Sequence, residues 1–552
     1  MSAAPGAGLN LAITKAEIPA DRKPVVTFKI TDNAGAPLKI EELDDLGKAI
    51  GIPGIMPARF TVAYLKEDAQ SKLSEWVNLV MAPSQGQPYT FRGQQKQPAI
   101  AQGTQPNILM DMGGKYQTLG PGSFTYTFAT ALPDTYDRNA TYRVGGEASR
   151  GGEEKSANVT FDFVPGGGAI KTRQVVATQS CNQCHDPLAL HGGLRTDTKL
   201  CVVCHTSQNV DLETGNTMEF KNMVHKIHRA ASLPSVIAGK PYIVKGFPPE
   251  PIDFSTIVWP QFGSAIGDTR TCTTCHGAPP VVTAFPSVAG MSAQDYAKAA
   301  PDADNYKNKP SRAACGACHD NIDWATGKST ITGRRDHPGG PQPNDNACAI
   351  CHVADSGKEF DASVVGAHTI PNYSKQLKGI NVDIVRVTST APGQYPAVVF
   401  TAKDNSGKAL LLSEITSLSF NVKGPTTDYT GPTTTEAAAL ANLKTGADGT
   451  LSYTLTQAIP IGATGSYAIG MEARRTEVII GNEGASTSVS GASYNPVFYV
   501  PVTDKVAVAR RQIVATEKCN VCHKEIQFHG GGRLNTTGYC ELCHNPANVD
   551  VP

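Results

Sequence analysis

The chain is 552 residues long and has no excess charge of either sign, with 49 Lys plus Arg against 49 Asp plus Glu. That balance gives a nucleic-acid partner no basic surface. Long apolar runs are also missing: nothing approaches the 18 or more residues that cross a bilayer. The start, Met1-Ser-Ala-Ala-Pro5, has neither the basic nor the apolar stretch of a secretory signal. Charged residues make up only 18%, whereas there are 53 glycines and 38 prolines, a balance that favours loop-rich β structure over helical bundles. Residues 1–168 and 371–505 contain no cysteine and no histidine. None of the 14 cysteines is left for a disulfide, because all of them fall in one repeated motif.

That motif is Cys-x-x-Cys-His. It runs Cys181, Cys184, His185; Cys201, Cys204, His205; Cys272, Cys275, His276; Cys315, Cys318, His319; and Cys348, Cys351, His352. Two further copies are Cys519, Cys522, His523 and Cys540, Cys543, His544. A single Cys-x-x-Cys could be a redox dithiol or half a zinc site. Zinc pairs would not need a histidine after every second cysteine, so seven such copies read as covalent haem attachment. Two thiols add to the two vinyl groups of one porphyrin, and the tethered histidine reaches the iron from one side. The cofactor expected is therefore seven haem c groups. Their ionised propionates make the loaded protein acidic although the polypeptide is neutral.

Of 13 histidines, seven are motif histidines; His191, His225, His228, His337, His368 and His529 remain. Five of these fall in or just after the five-motif stretch, one for each motif. A lone extra histidine is often a surface or core residue, but equality across five favours iron held by histidine on both faces. Six spare residues for seven irons leave one iron without a distal histidine, expected among the last two. His529 follows His523 by only six residues, so it is expected to serve the other motif's iron or another neighbour.

The strand patterns are Val25 to Ile30, Phe60 to Tyr64, Ser123 to Phe128 and Val159 to Val164, with turns such as Asp32-Asn33-Ala34-Gly35. They predict an antiparallel β domain, sandwich or open barrel, over 1–168. A five-haem module follows over 169–370, and in it Phe220 to His228 is the best helix candidate. Its His225 and His228, three apart, share a broad face and can serve two neighbouring irons. With roughly 40 residues per haem, the porphyrins must form much of that module's core. Val382 to Val387, Ala397 to Phe400 and Leu451 to Leu455 predict a second β domain over 371–505, with an exposed loop from Gly424 to Ala437. Residues 506–552 begin a second haem module.

The order is a repeat. Arg173-Gln-Val-Val-Ala-Thr178 is echoed by Arg511-Gln-Ile-Val-Ala-Thr516, His191-Gly-Gly193 by His529-Gly-Gly531, and Arg195 by Arg533. In the β domains Tyr142, Glu147 and Arg150 recur at equal spacing as Tyr467, Glu472 and Arg475. The second module lacks counterparts of three motifs and four spare histidines, so a piece of a longer chain is expected rather than loss of haems. Haem attachment takes place beyond the cytoplasmic membrane, so an export signal is expected to have been removed or replaced.

The pattern resembles the outer-membrane decahaem cytochromes of the MtrC/OmcA kind, used by metal-respiring bacteria to pass electrons to extracellular acceptors. The resemblance rests on Cys181-Asn-Gln-Cys184-His185 through His191-Gly-Gly193, on its copy from Cys519 to Gly531, and on Met223-Val-His225-Lys-Ile-His228. It implies split-barrel β domains alternating with loop-rich haem modules and exposure at the cell surface. It also implies partners in an outer-membrane porin-cytochrome conduit or other cytochromes, with extracellular metals or flavins as acceptors. The motif histidines would be proximal ligands and the six others distal. Two departures stand out: only seven haem sites are present, and the β-domain disulfide of several relatives has no cysteine pair here.

Three readings of function follow. An electron conduit needs closely spaced irons closed on both faces. A multihaem oxidoreductase acting on a nitrogen or sulfur oxyanion needs an open iron with acid, base or cationic groups beside it. The supply of axial histidines favours the conduit. A non-redox reading, with structural haems and partner-binding β domains, is the third.

Overall fold

The computed structural model describes residues 8–38, 42–43, 49–50, 55–150, 155–185, 187–246, 250–260, 268–279, 290–430, 435–534 and 536–548. The start Met1-Ser-Ala-Ala-Pro5 and four residues of the stretch from Gly424 to Ala437 lie outside them. The chain divides into two compact units. One is Met1–Val258 with Cys272–Val281 and Ser287–Ala354; the other is Asp355–Pro552 with Trp259–Thr271 and Val282–Pro286. Among the described residues no helix is long and apolar enough to cross a membrane.

In the first unit, alternation at every second residue builds the sheets. Val26, Phe28 and Ile30 are buried on one face of the strand Val25–Thr31 while Thr27 and Lys29 point away. The sheet order is Asn10–Glu17, Val25–Thr31, Ser123–Thr127, Lys115–Gly120. A second four-stranded sheet runs Lys155–Phe163, Tyr142–Arg150, Ile55–Glu67, Ser74–Asn78. Both are antiparallel and close on one core, in which Phe28 and Phe60 meet at 4.9 Å between ring centres. The strand Tyr142–Arg150 is central to the second sheet, and its two faces differ. Tyr142, Val144 and Ala148 enter the β core, whereas Arg143, Gly145 and Glu147 face the haem-motif peptide.

The second unit repeats this arrangement. Asn381–Thr388, Ala397–Lys403, Leu451–Thr454 and Lys444–Thr445 form one sheet; Thr435–Ala437, Ser417–Lys423, Ser466–Ile480 and Ser486–Ala492 form the other, with Val497–Pro501 also on the long strand. Details recur as well as order. Register slips between Ile13 and Lys15 in one unit and between Ile384 and Arg386 in the other, an extra residue at the same place in the first hairpin. Asp32 accepts from the amides of Ala34 and Ala36, and Asp404 from those of Ser406 and Lys408. Arg150 donates to the carbonyl of Gly8 and Arg475 to that of Gly379.

Peptide between the β regions is short-helical. Among the described residues the longest helix, Phe220–Arg229, has 10 residues and lies where the sequence predicts it. One expectation fails: the stretch from Gly424 to Ala437 is not an exposed loop throughout. Thr426 and Tyr429 are buried. The amide of Thr426 donates to Ser466, and Tyr429 lies under the Arg510 guanidinium, 4.5 Å from its ring centre, beside Tyr539 and Leu542. Local polarity misleads there because the contacts that bury the segment come from far along the chain.

Candidate haem centres

Each motif is one helical turn. In six of the seven, the histidine amide donates to the carbonyl of the first cysteine at 2.8–3.0 Å, and in the seventh Cys519 to His523 lies within the helix Thr516–His523. The i, i+3 and i+4 positions of a turn share one side, so two thiols and an imidazole are presented together. Neighbouring motifs are joined alike in both modules. The Thr178 hydroxyl accepts from the Thr198 amide at 3.0 Å, as Thr516 does from Thr537 at 3.0 Å. Asn182 accepts from Leu188 and Asn520 from Ile526, each at 2.8 Å.

The motif histidines then meet the spare ones. Ring centres are 6.0 Å apart for His191 and His205, 6.1 Å for His185 and His228, and 6.2 Å for His225 and His276. They are 6.2 Å apart for His337 and His352, and 6.0 Å for His529 and His544. Two metal–nitrogen bonds of about 2 Å, plus roughly an ångström from each nitrogen to its ring centre, span about 6 Å. The five gaps fit one iron each. The helix Phe220–Arg229 serves two of them, with His228 opposite His185 and His225 opposite His276. His191 and His529 both pass over their own motif's histidine to face that of the next.

Backbone carbonyls fix the rings. Nδ1 meets the carbonyl of Met218 at 3.0 Å in His205, Val224 at 2.8 Å in His228 and Val175 at 3.3 Å in His276. The same holds for Gly340 at 3.0 Å in His337, Val364 at 2.7 Å in His368 and Pro260 at 2.7 Å in His523. A carbonyl only accepts, so Nδ1 carries the proton and Nε2 keeps its lone pair for a metal. Burial pushes His205 and His225 down to about 4, which keeps both in the neutral, ligating form at neutral pH. His523 packs against the Phe528 ring at 5.7 Å, and no second histidine faces it among the described residues.

The thiols connect the motifs of the first unit into a row. Burial and then the neighbouring Cys201 push the Cys181 thiol up to about 11, and burial with Cys181 pushes Cys275 up to about 12. Burial raises Cys318 to about 11 against the pull of Arg229, with Cys272 adding to the rise; burial and Cys348 bring Cys315 to about 11. Electrostatic influence therefore runs from the second motif to the first, third, fourth and fifth.

Other parts of the site lie beyond sequence reasoning. Gly145 makes room for the helix Thr198–Cys204: a Cβ there would lie 2.7 Å from Leu200 and 3.1 Å from Val203. Gly470 does the same for Thr537–Cys543, where a Cβ would lie 2.4 Å from Leu542 and 2.6 Å from Tyr539. Two residues on, Glu147 pairs with Arg195 at 2.7 Å and Glu472 with Arg533 at 2.9 Å. Arg143 is buried 4.4 Å above the Trp76 ring, paired with Asp162 at 2.6 Å. The repeat of Glu147 and Arg195 in Glu472 and Arg533 was the available signal, and it marks equivalence without showing contact.

Antiparallel β domains joined to haem-motif peptide with imidazoles paired across iron-sized gaps define a multihaem c-type cytochrome. Residues 173–365 match the family model for outer membrane cytochrome MtrC/MtrF-like proteins, domains II/IV. Over 264 residues the chain is 28% identical to the multihaem cytochrome MtrC of Shewanella baltica (strain OS185), a match covering 44% of this chain and 31% of that protein. It thus spans about a third of that relative's length. Among solved structures, the outer membrane decahaem cytochrome OmcA superposes with a TM-score of 0.69 at 20% identity, covering 98% of this chain and 78% of that one. MtrC from Shewanella baltica OS185 gives 0.62 at 19% identity, covering 98% and 81%. Residues 173–365 thus resemble domains II/IV of the outer membrane cytochromes, and the chain has the fold of OmcA and MtrC along nearly its whole length.

Proposed function

We propose that the chain passes single electrons along covalently attached haems to acceptors outside the cell: metal oxides, soluble metal complexes, flavins or partner cytochromes. The observation that carries this reading is the set of five imidazole pairs at 6.0–6.2 Å. In it the 14 motif cysteines tether seven haem c groups, the seven motif histidines are proximal ligands, and His191, His225, His228, His337, His368 and His529 are distal. The haem supplies one-electron chemistry at an iron whose ligands move little. The polypeptide keeps His205 and His225 neutral, fixes Nδ1 of six histidines on carbonyls and sets a second imidazole across from five motif histidines. The connected row of motifs supports passage from one site to the next. The match of residues 173–365 to outer membrane cytochromes supports work at the cell surface, with a porin-cytochrome conduit or other cytochromes as partners. The corresponding domains are β 1–168, five-haem 169–370, β 371–505 and the start of a second haem module over 506–552.

The test is the visible spectrum of the reduced protein with and without carbon monoxide. A conduit shows low-spin haems of which at most one takes the gas. General carbon monoxide binding would overturn the reading. A second reading, reduction of a nitrogen or sulfur oxyanion, has His523 in its favour, since Phe528 rather than another imidazole lies beside it. Turnover of such an oxyanion, lost when that haem is blocked by cyanide, would support it.

A further inference from the structure

The haem of the second motif in each module differs from its neighbours in what holds its ligands. Its proximal helix, Thr198–Cys204, rests on Gly145, and the loop bearing its distal His191 is tied through Arg195 to Glu147. Gly145 and Glu147 are two residues apart on one face of one strand. In the second unit Gly470 and Glu472 stand in the same relation to Thr537–Cys543 and to His529 through Arg533.

The distal loop needs such a tie. His191, Gly192 and Gly193 have φ of 53°, 70° and 86°, and His529, Gly530 and Gly531 have 54°, 65° and 78°. A histidine in the left-handed region is disfavoured and persists where its surroundings over-determine it. Those surroundings are duplicated. Asn158 donates to the carbonyl of Leu194 at 2.8 Å and accepts from the amide of Thr196 at 2.7 Å, bracketing Arg195. Asn495 donates to Gly532 at 3.1 Å and accepts from Leu534 at 2.6 Å, bracketing Arg533. Arg195 also donates to the Ile108 carbonyl at 2.6 Å, and Arg474 reaches the carbonyl of Gly530 at 3.1 Å. The first ion pair is nearly sealed from water, its side chains 9% and 6% exposed.

We propose that Glu147 and Glu472 are positioning residues that latch the distal histidine of one haem per module onto its iron, so that the β domain controls whether that haem has an open coordination site. The proposal rests on the axial pairing of His191 with His205 and of His529 with His544. With the latch closed, the left-handed loop is held and the iron is closed on both faces. With the carboxylate neutralised, Arg195 or Arg533 loses its partner, the loop relaxes toward ordinary φ and the histidine leaves the iron. Among the described residues no other histidine has a positive φ.

The experiment uses the haem-loaded full chain. Glu147→Gln and Glu472→Gln are each compared with the unaltered protein by electron paramagnetic resonance of the oxidised form and by carbon monoxide titration of the reduced form. Each variant should gain one haem equivalent of high-spin signal and of carbon monoxide binding, and Glu147→Asp should restore the low-spin state. If the unpaired arginine prevents folding, Glu147→Leu combined with Arg195→Met removes both charges while keeping the volume and should open the same single haem. An unchanged count in folded variants overturns the latch, as does opening of several haems at once. His191→Ala separates the two levels: if it opens no haem, the axial pairing has failed rather than the latch.

Discussion

Replacing Gly470 by alanine tests whether the haem-motif helix is seated on the β strand as tightly as the structure has it. The new Cβ would lie 2.4 Å from Leu542 and 2.6–2.7 Å from the Tyr539 ring, whereas carbon atoms rest about 3.5–4.0 Å apart. Tyr539 cannot swing aside: it is fully buried, and its hydroxyl is held by Asn421 and Glu472, each at 2.6 Å. Helix or strand must therefore shift by about an ångström. Overpacking of this kind costs about 1–3 kcal/mol, and the rigid ring puts Gly470→Ala at about 3 kcal/mol. For a unit of this size that is a loss of about 6–12 °C in Tm. Gly145→Ala meets methyl groups of Leu200 and Val203, at 2.7 Å and 3.1 Å, and no aromatic ring, and should cost about 1 kcal/mol. Gly491, whose added Cβ would find its nearest neighbour at 3.8 Å, is the control and should be neutral. Thermal unfolding followed by far-ultraviolet circular dichroism ranks the three. If Gly470→Ala melts with the control, the helix is not seated on that strand.

Three further outcomes are expected. Oxidised protein should show a minority high-spin ferric signal from the haem at Cys519 and Cys522, because His523 faces Phe528; added imidazole should remove it, and a wholly low-spin spectrum would refute the assignment. Asp162→Asn leaves Arg143 buried without its carboxylate and should cost about 3–5 kcal/mol, read from urea unfolding; a loss below 1 kcal/mol would mean that the Trp76 face, the Lys199 carbonyl and the Gln174 amide together satisfy the guanidinium. The Ser406 hydroxyl, followed by the amides of Lys408 and Ser406, holds the Asp404 carboxyl below its ordinary value of 3.8. A depressed carboxylate stabilises the fold fully above its unfolded pKa and ceases to do so as pH falls through its folded one. Asp404→Asn should therefore be less stable than the parent near neutrality, and the two should converge only below about pH 4; a gap that persists in acid would refute the linkage.

Much of this was legible in the residues. Alternation exposed the strand at Val25 and the strand at Asn381, and the spacing of His225 and His228 marked the helix Phe220–Arg229. Apart from His529, expected opposite a motif other than its own, which motif histidine each spare one faces was not legible, since a shared helical face says nothing of what stands opposite it. The pairs Glu147 with Arg195 and Glu472 with Arg533 lie 48 and 61 residues apart and could be matched as repeats but not as partners. Burial of Tyr429 was hidden for the same reason: its neighbours Arg510, Tyr539 and Leu542 come from another part of the chain.

Each carboxylate–arginine tie closes inside its own repeat, Glu147 with Arg195 in one unit and Glu472 with Arg533 in the other. Inheritance can act on that. Recombination that adds or deletes a whole β-plus-haem repeat cuts neither tie, while a break between a β region and the module after it orphans two ligands at once. The piece that can be inherited with both ties intact is a β region together with the haem-motif peptide after it, joined at the strand that carries the glycine and the glutamate.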